Sequence, residues 1–262
     1  MRPLLLFVHT RRHPSAILLL VQLAGMLVYP FIEGTPAGQV IFNAFGIVVL
    51  AFTIRMVRRT PGEVRVSWAL AVPIIALLLA QILFGLRQLL AWSSGLEALF
   101  YFYAAGSLIA YMMDDEMATT DELFAAGATF TLLAWAFTHM YVLLQEVHPG
   151  TFAAAVNPSA PRTWTELNYL SFALLSSTGI GDVLPLTAHA RALASLEMLV
   201  GLMYLAVVVA RLIAFTTRHR IAVGRAHKRR REDREQGREQ EREQGREHGR
   251  VPEVPDVPDV PD

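Results

Sequence analysis

The seven residues Ser176-Ser-Thr-Gly-Ile-Gly-Asp182 place two glycines around one apolar residue and close on an acid. Glycine adopts backbone conformations with φ > 0 at little cost, so Gly179 and Gly181 are expected there, turning successive carbonyls towards one axis. A ring of carbonyls replaces the water around a dehydrated cation, and neutral dipoles suit a monovalent ion that must leave as readily as it enters. Other chemistry has little to stand on. The eight His are scattered, with His148 and His189 expected apart on the outer side, and no nucleophile with a base partner and no phosphate loop is present. With no cysteine, disulfides and thiolate metal sites are excluded.

Ser177-Thr178-Gly179-Ile180-Gly181-Asp182 resembles the Thr-Val-Gly-Tyr-Gly-Asp selectivity filter of the potassium channel family, specifically the two-helix pore module of the bacterial ion-channel type. Pro185, Arg191 and Gly201 keep the offsets from the filter acid seen in many members. The resemblance implies that the carbonyls of Thr178, Gly179, Ile180 and Gly181, with the carbonyl and hydroxyl of Ser177, form successive cation sites. It places Asp182 at the outer mouth and makes Gly201 a hinge. The side chains of Thr178 and Ile180 stand where valine and tyrosine are usual, and are expected to point into the packing behind the filter. Four chains are needed to close the ring, so the implied assembly is a homotetramer with potassium as its permeant ion and no cofactor.

A filter must be held by helices, and the composition supplies them. Apolar residues make up 53% of the chain and mean hydropathy is +0.38, although the last forty or so residues are nearly all charged, Gly, Gln or Pro. A hydrocarbon core needs about 20 helical residues. Six stretches qualify: Ser15 to Ile32, Ala37 to Thr53, Trp68 to Gln88, Gly95 to Met113, Asp121 to Gln145 and Thr187 to Phe215. Thr163 to Ser176 is too short to span and reads as a re-entrant helix buried in protein. On it, Trp164, Leu167, Leu170 and Leu174 share a face, while Asn168 and Tyr169 are placed to reach polar groups behind the filter. Thr119-x-x-Glu122 offers a capping box for the fifth span.

The fold class is therefore an all-α membrane protein, with six transmembrane helices plus a re-entrant pore helix and a selectivity-filter loop, assembling as a tetramer. Residues 1–14 form a cytosolic N-terminus, 15–113 a four-helix region and 114–120 a cytosolic loop. The pore domain is 121–215, with outer helix 121–145, pore helix 163–176, filter 177–182 and inner helix 187–215. Residues 216–250 are a basic, then Arg/Glu-rich tail, and 251–262 a disordered Val-Pro-Asp tail. Arg2, Arg11, Arg12, Arg55, Arg58, Arg59, Arg65 and the cluster from Arg218 to Arg231 fall on one side of six alternating helices. Both termini are then cytosolic in a multi-pass protein of the plasma (inner) membrane, and the filter loop faces outside.

Two further expectations concern partners. The Arg218 to Arg231 cluster is placed to meet anionic lipid, and nothing points to nucleic acid. Glu197 lies within an apolar helix, where an acid must be protonated, paired or facing water; His139, Asn168 and Tyr169 are the candidate partners, with a structural or gating role. The fourth span contains no Arg or Lys, which argues against voltage sensing. The functional reading is a potassium-conducting cation channel, not an enzyme. A nonselective or sodium-permeable channel is the alternative, and a six-helix transporter or membrane enzyme a further one.

Overall fold

A computed structural model describes residues 14–57, 64–114, 120–211 and 213. The chain divides into two units, Met1–Arg211 and Leu212–Asp262, and of the second only Ile213 is described. The basic residues Arg2, Arg11, Arg12, Arg58 and Arg59, the Arg218 to Arg231 cluster and both tail segments lie outside the described residues.

The first unit is built from helices α1 (Pro14–Val28), α2 (Pro36–Val57), α3 (Val64–Phe84), α4 (Leu90–Asp114), α5 (Thr120–Val147), α6 (Trp164–Leu175) and α7 (Ala188–Arg211). A 3-10 turn at Tyr29–Phe31 prolongs α1, and another at Arg87–Leu89 precedes α4. Five segments are long and apolar enough to cross a membrane: Pro14–Phe31, Arg65–Phe84, Arg87–Met113, Asp121–Val147 and Ala188–Arg211. The second expected span differs. Although α2 runs for 22 residues, its apolar stretch is the shorter Val40–Arg55, because Gln39 precedes it and Arg55 closes it. The third span stops at Phe84 instead of reaching Gln88, since Gly85 takes φ +63° and its N–H returns to the Gln81 carbonyl at 3.0 Å.

Small residues set how closely α4 and α5 pack. Ala98, Ala104 and Ala105 on α4 and Ala125, Ala128 and Ala136 on α5 are all fully buried, letting the backbones approach. Larger side chains fill the spaces left, as where Phe102 meets Phe137 edge to face at 5.0 Å. Hydroxyls within α5 return to their own helix, Thr129 to Ala125 at 2.8 Å and Thr138 to Ala134 at 2.7 Å, so burial leaves them satisfied.

The N-terminus of α1 rests on α5. Asp121 accepts the Ser15 N–H at 3.2 Å and the Ser15 hydroxyl at 2.8 Å, placing a carboxylate where the helix dipole favours one. The next acid on α5, Glu122, is the one expected to form a capping box with Thr119. Thr119 is outside the described residues, and the Glu122 carboxylate accepts from Arg211 Nη2 at 2.9 Å and Nε at 3.2 Å. A charge-assisted contact from a guanidinium is stronger than one from a neutral amide. This pair joins the start of α5 to the end of α7.

One short pairing interrupts the helices. β1 (Phe152–Ala154) runs antiparallel to β2 (Val183–Pro185), with Phe152 opposite Pro185 and Ala154 opposite Val183. Three-residue strands carry almost no periodic signal in a sequence. The ladder is extended by the Leu186 N–H on the Thr151 carbonyl at 2.9 Å, and Arg191 Nε holds the Pro185 carbonyl at 3.1 Å.

Candidate functional site: the loop after the short helix

The loop is positioned by α6, and α6 is fixed most firmly at its start. Thr163 Oγ1 accepts the Glu166 N–H at 3.2 Å, and the Glu166 carboxylate accepts the Thr163 N–H at 2.8 Å, a reciprocal capping box written in the sequence as Thr-x-x-Glu. A third donor, the Thr165 N–H, goes to Glu33 Oε1 at 3.0 Å, in the turn between α1 and α2. Just before the helix, buried Arg162 exchanges two hydrogen bonds with Gln145 of α5, its N–H donating at 2.8 Å and its carbonyl accepting at 3.0 Å. The guanidinium meets the carbonyls of Val156, Asn157 and Ala160 and the Glu166 carboxylate. This fork organises the loop between β1 and α6, and only arginine offers donors in that planar array.

The body of α6 buries Leu167, Leu170, Leu174 and Leu175. Its polar face is turned to α5, where the Asn168 amide lies 3.2 Å from the Thr138 hydroxyl and the Ser171 hydroxyl lies 2.8 Å from the Ala134 carbonyl. Trp164 is half-buried among rings, 5.3 Å from Tyr29 and 5.0 Å from Phe42. Tyr169, in contrast, is exposed, because it lies on the opposite side of α6 from this packed face.

At the end of α6 the chain reverses by closing its own last turn. The Ser177 N–H donates to Leu174 at 3.0 Å, and the Thr178 and Gly179 N–H groups both donate to the Ala173 carbonyl at 2.9 and 3.1 Å. Gly179 takes φ +65°, as expected of it. Gly181 does not: the second residue in the left-handed region is Ser177, at φ +58°. The reversal out of α6 needs that conformation one residue after the helix cap, and Ser177 stands there. Residues 176–182 are all exposed, Ile180 at 52% of its surface. Within the single chain, Thr178 and Ile180 are therefore not packed behind the loop. Thr178 Oγ1 instead meets the hydroxyl of Ser176, and Asp182 is exposed at the loop's end.

Behind the loop, α7 makes two close contacts with α6. Gly201 passes the helix end so tightly that a Cβ there would lie 2.2 Å from the Leu175 carbonyl oxygen. One turn earlier, Glu197 is fully buried and accepts hydrogen bonds from Tyr141 of α5 and Ser171 of α6. Three elements thus meet on one carboxylate. The partners expected for Glu197 are a correction: His139 is not among them, and Asn168 is engaged by Thr138. His139 faces the other side of α5, where its Nδ1 lies 3.4 Å from Glu97 Oε2 of α4. Glu97 carries the same sequence signal as Glu197, an acid inside an apolar helix, and Tyr141 and Ser171 were legible only as polar residues on helices. His148 and His189 are a second correction, since their rings stack 5.8 Å apart at 25°, bringing the end of α5 to the start of α7. Among the described residues no group of three or more His, Cys, Asp or Glu could hold a metal ion.

Residues 125–218 match a family model described as an ion channel, a segment running from within α5 past the end of α7. The resemblance carried by the Ser176–Asp182 loop and its surroundings thus extends to an ion-channel domain over this part of the chain, and the five spans make the protein a multi-pass membrane protein. No curated protein and no solved structure matches the chain.

Proposed function

We propose that the chain is one subunit of a homotetrameric cation channel that conducts potassium through the backbone carbonyls of Ser177, Thr178, Gly179, Ile180 and Gly181, with the Ser177 hydroxyl at the inner end and Asp182 attracting cations at the mouth. The carrying observation is the exposed, glycine-bearing loop delivered by a buried, doubly capped short helix inside the ion-channel segment. One such loop supplies a quarter of each carbonyl cage. The apolar surface of α7 supports assembly, with Leu196, Leu199, Leu202 and Met203 each more than half exposed. In this reading the chain acts as a channel and not an enzyme, potassium is a permeant ligand, and, with the shorter apolar helix Val40–Arg55 as a sixth crossing, both termini are cytosolic in the plasma (inner) membrane. Anionic lipid is the proposed neighbour of Arg218 to Arg231. Gating belongs to α7, with Gly201 as the bending point. Weak voltage dependence follows, since α4 contains no Arg or Lys and each sensing charge contributes only about 2.3 kcal/mol per 100 mV.

Ile180 favours a second reading. Its apolar side chain has no hydroxyl to brace the loop against α6, which suits a softer, sodium-permeable or nonselective pore. Purified protein in vesicles decides between them through reversal potentials in mixed potassium and sodium. A potassium-selective shift supports the first reading and a reversal near zero the second, while protein that passes no ions and runs as a monomer removes both.

A further inference from the structure

Away from the loop, the helices of the N-terminal region and α5 enclose a cavity of about 640 Å³. Its outer rim includes Gly34, Arg87, Glu146 and Pro161, and its depth reaches Glu97 and His139. The size is that of a small-molecule site, and the walls bring apolar, aromatic and polar side chains together.

Aromatic side chains form part of the walls. Tyr29, Phe42, Tyr101, Trp135 and Trp164 line the space, and their rings form a connected set: Trp135 lies 5.9 Å from Trp164 and 6.0 Å from Tyr101. A polar ladder stands on one side, where Gln81 Nε2 donates to Ser93 at 2.9 Å and Asn43 donates to Gln81 at 3.4 Å. Of the charged residues at the cavity, Arg162 is engaged by loop carbonyls and Glu166, and Arg87 and Glu146 sit exposed at the rim. Glu97 is the acid in its depth, 5% exposed, with the imidazole of His139 as its ionisable neighbour at 3.4 Å.

Two lining groups lack partners. Trp135 Nε1 and Trp164 Nε1 make no hydrogen bond, although Trp135 is only 3% exposed. Buried donors of this kind are costly to leave unmade. A carboxylate at the end of an aromatic-walled space calls for a cation, since ring faces and carboxylate both attract one. The indole N–H groups call for an acceptor oxygen.

We infer that this cavity is a binding site for a small organic amine with an aromatic body and a hydroxyl group, its ammonium held by Glu97. The inference goes beyond ion conduction and does not depend on it, because binding is read on solubilised protein without any current. Trp164 is the first residue of α6, so an occupant touches the element that delivers the loop.

Titration calorimetry of the full-length protein in detergent tests this with tyramine and with 4-hydroxyphenylacetate, which keeps the body and reverses the charge. Saturable tyramine binding is expected, with none for the acid. Glu97→Gln should weaken tyramine by about tenfold or more, as loss of a charge-assisted contact does. Gly46→Val is the second variant. A Cβ at Gly46 fits at ordinary distances, 3.6 Å from Leu78 and 3.7 Å from Glu97 Oε1, so a valine side chain starts beside the carboxylate and should abolish binding, with an unfolding midpoint measured alongside to show that the variant is folded. Absence of saturable tyramine binding, equal binding of the acid, or unchanged affinity in Gly46→Val overturns the inference.

Discussion

Ser171 on α6 and Tyr141 on α5 both donate to the carboxylate of Glu197 on α7, so three elements of the pore segment share one buried acceptor. Both residues are fully buried, and removal of the acceptor leaves two buried donors to find new partners.

Glu197→Leu should therefore lower stability by about 1–3 kcal/mol for each hydroxyl orphaned. Ser171 retains the Ala134 carbonyl as an alternative, so the loss should fall mostly on Tyr141. Glu197→Gln, which keeps one oxygen, should stay close to the parent. Thermal unfolding in detergent checks the ordering, and equal midpoints for Leu and the parent would contradict it.

At Gly201 the sign of the effect discriminates between roles. In an open helix interior Gly→Ala stabilises by about 1 kcal/mol. With the Leu175 carbonyl 2.2 Å from the new Cβ, Gly201→Ala should instead destabilise by about 1–3 kcal/mol and displace the end of α6. Unfolding midpoints read the sign, and vesicle flux reads the displacement as reduced conduction. A stabilised, conducting variant would favour a purely flexible role.

The two loop glycines should respond unequally. Gly179→Ala forces a side chain into φ +65°, at about 1–2 kcal/mol, in the turn that closes α6. Gly181 lies outside the left-handed region, and a Cβ there meets only Leu184 at 3.7 Å. Potassium flux should fall further in Gly179→Ala than in Gly181→Ala, and the reverse order would count against this backbone.

Arg162→Lys should behave nearly as badly as Arg162→Ala, because an ammonium cannot address the carbonyls of Val156, Asn157 and Ala160 together with Glu166. Limited proteolysis between Ala155 and Pro161 supplies the readout. Faster cleavage is expected in both variants, and protection in the lysine variant would show that charge alone suffices.

What was legible in the sequence was local. The turn at Ser176–Asp182 and the apolar runs on either side are written in consecutive residues, and the helices follow them. The partners of buried polar groups were not legible, since they depend on how each helix is rotated. His139 and Tyr141 are two residues apart on α5 and so face different neighbours, one Glu97 and the other Glu197. The same holds for His148 and His189, which the β1–β2 pairing brings near each other. The Thr163–Glu166 capping box was within reach of pattern reading, as was the one expected at Thr119–Glu122; spacing cannot tell that an arginine at position 211 engages Glu122.

The contact between Glu33 and the Thr165 N–H bears on how such proteins can be rebuilt. A chimera that grafts residues 120–211 onto a foreign N-terminal region discards the acceptor for one of the first-turn amides of α6, and with it the Ser15 cap-side contact that Asp121 makes. The four leading helices are thus not cargo attached to a self-sufficient pore. They complete it, and a transplant would have to carry the α1–α2 turn along to keep its short helix seated.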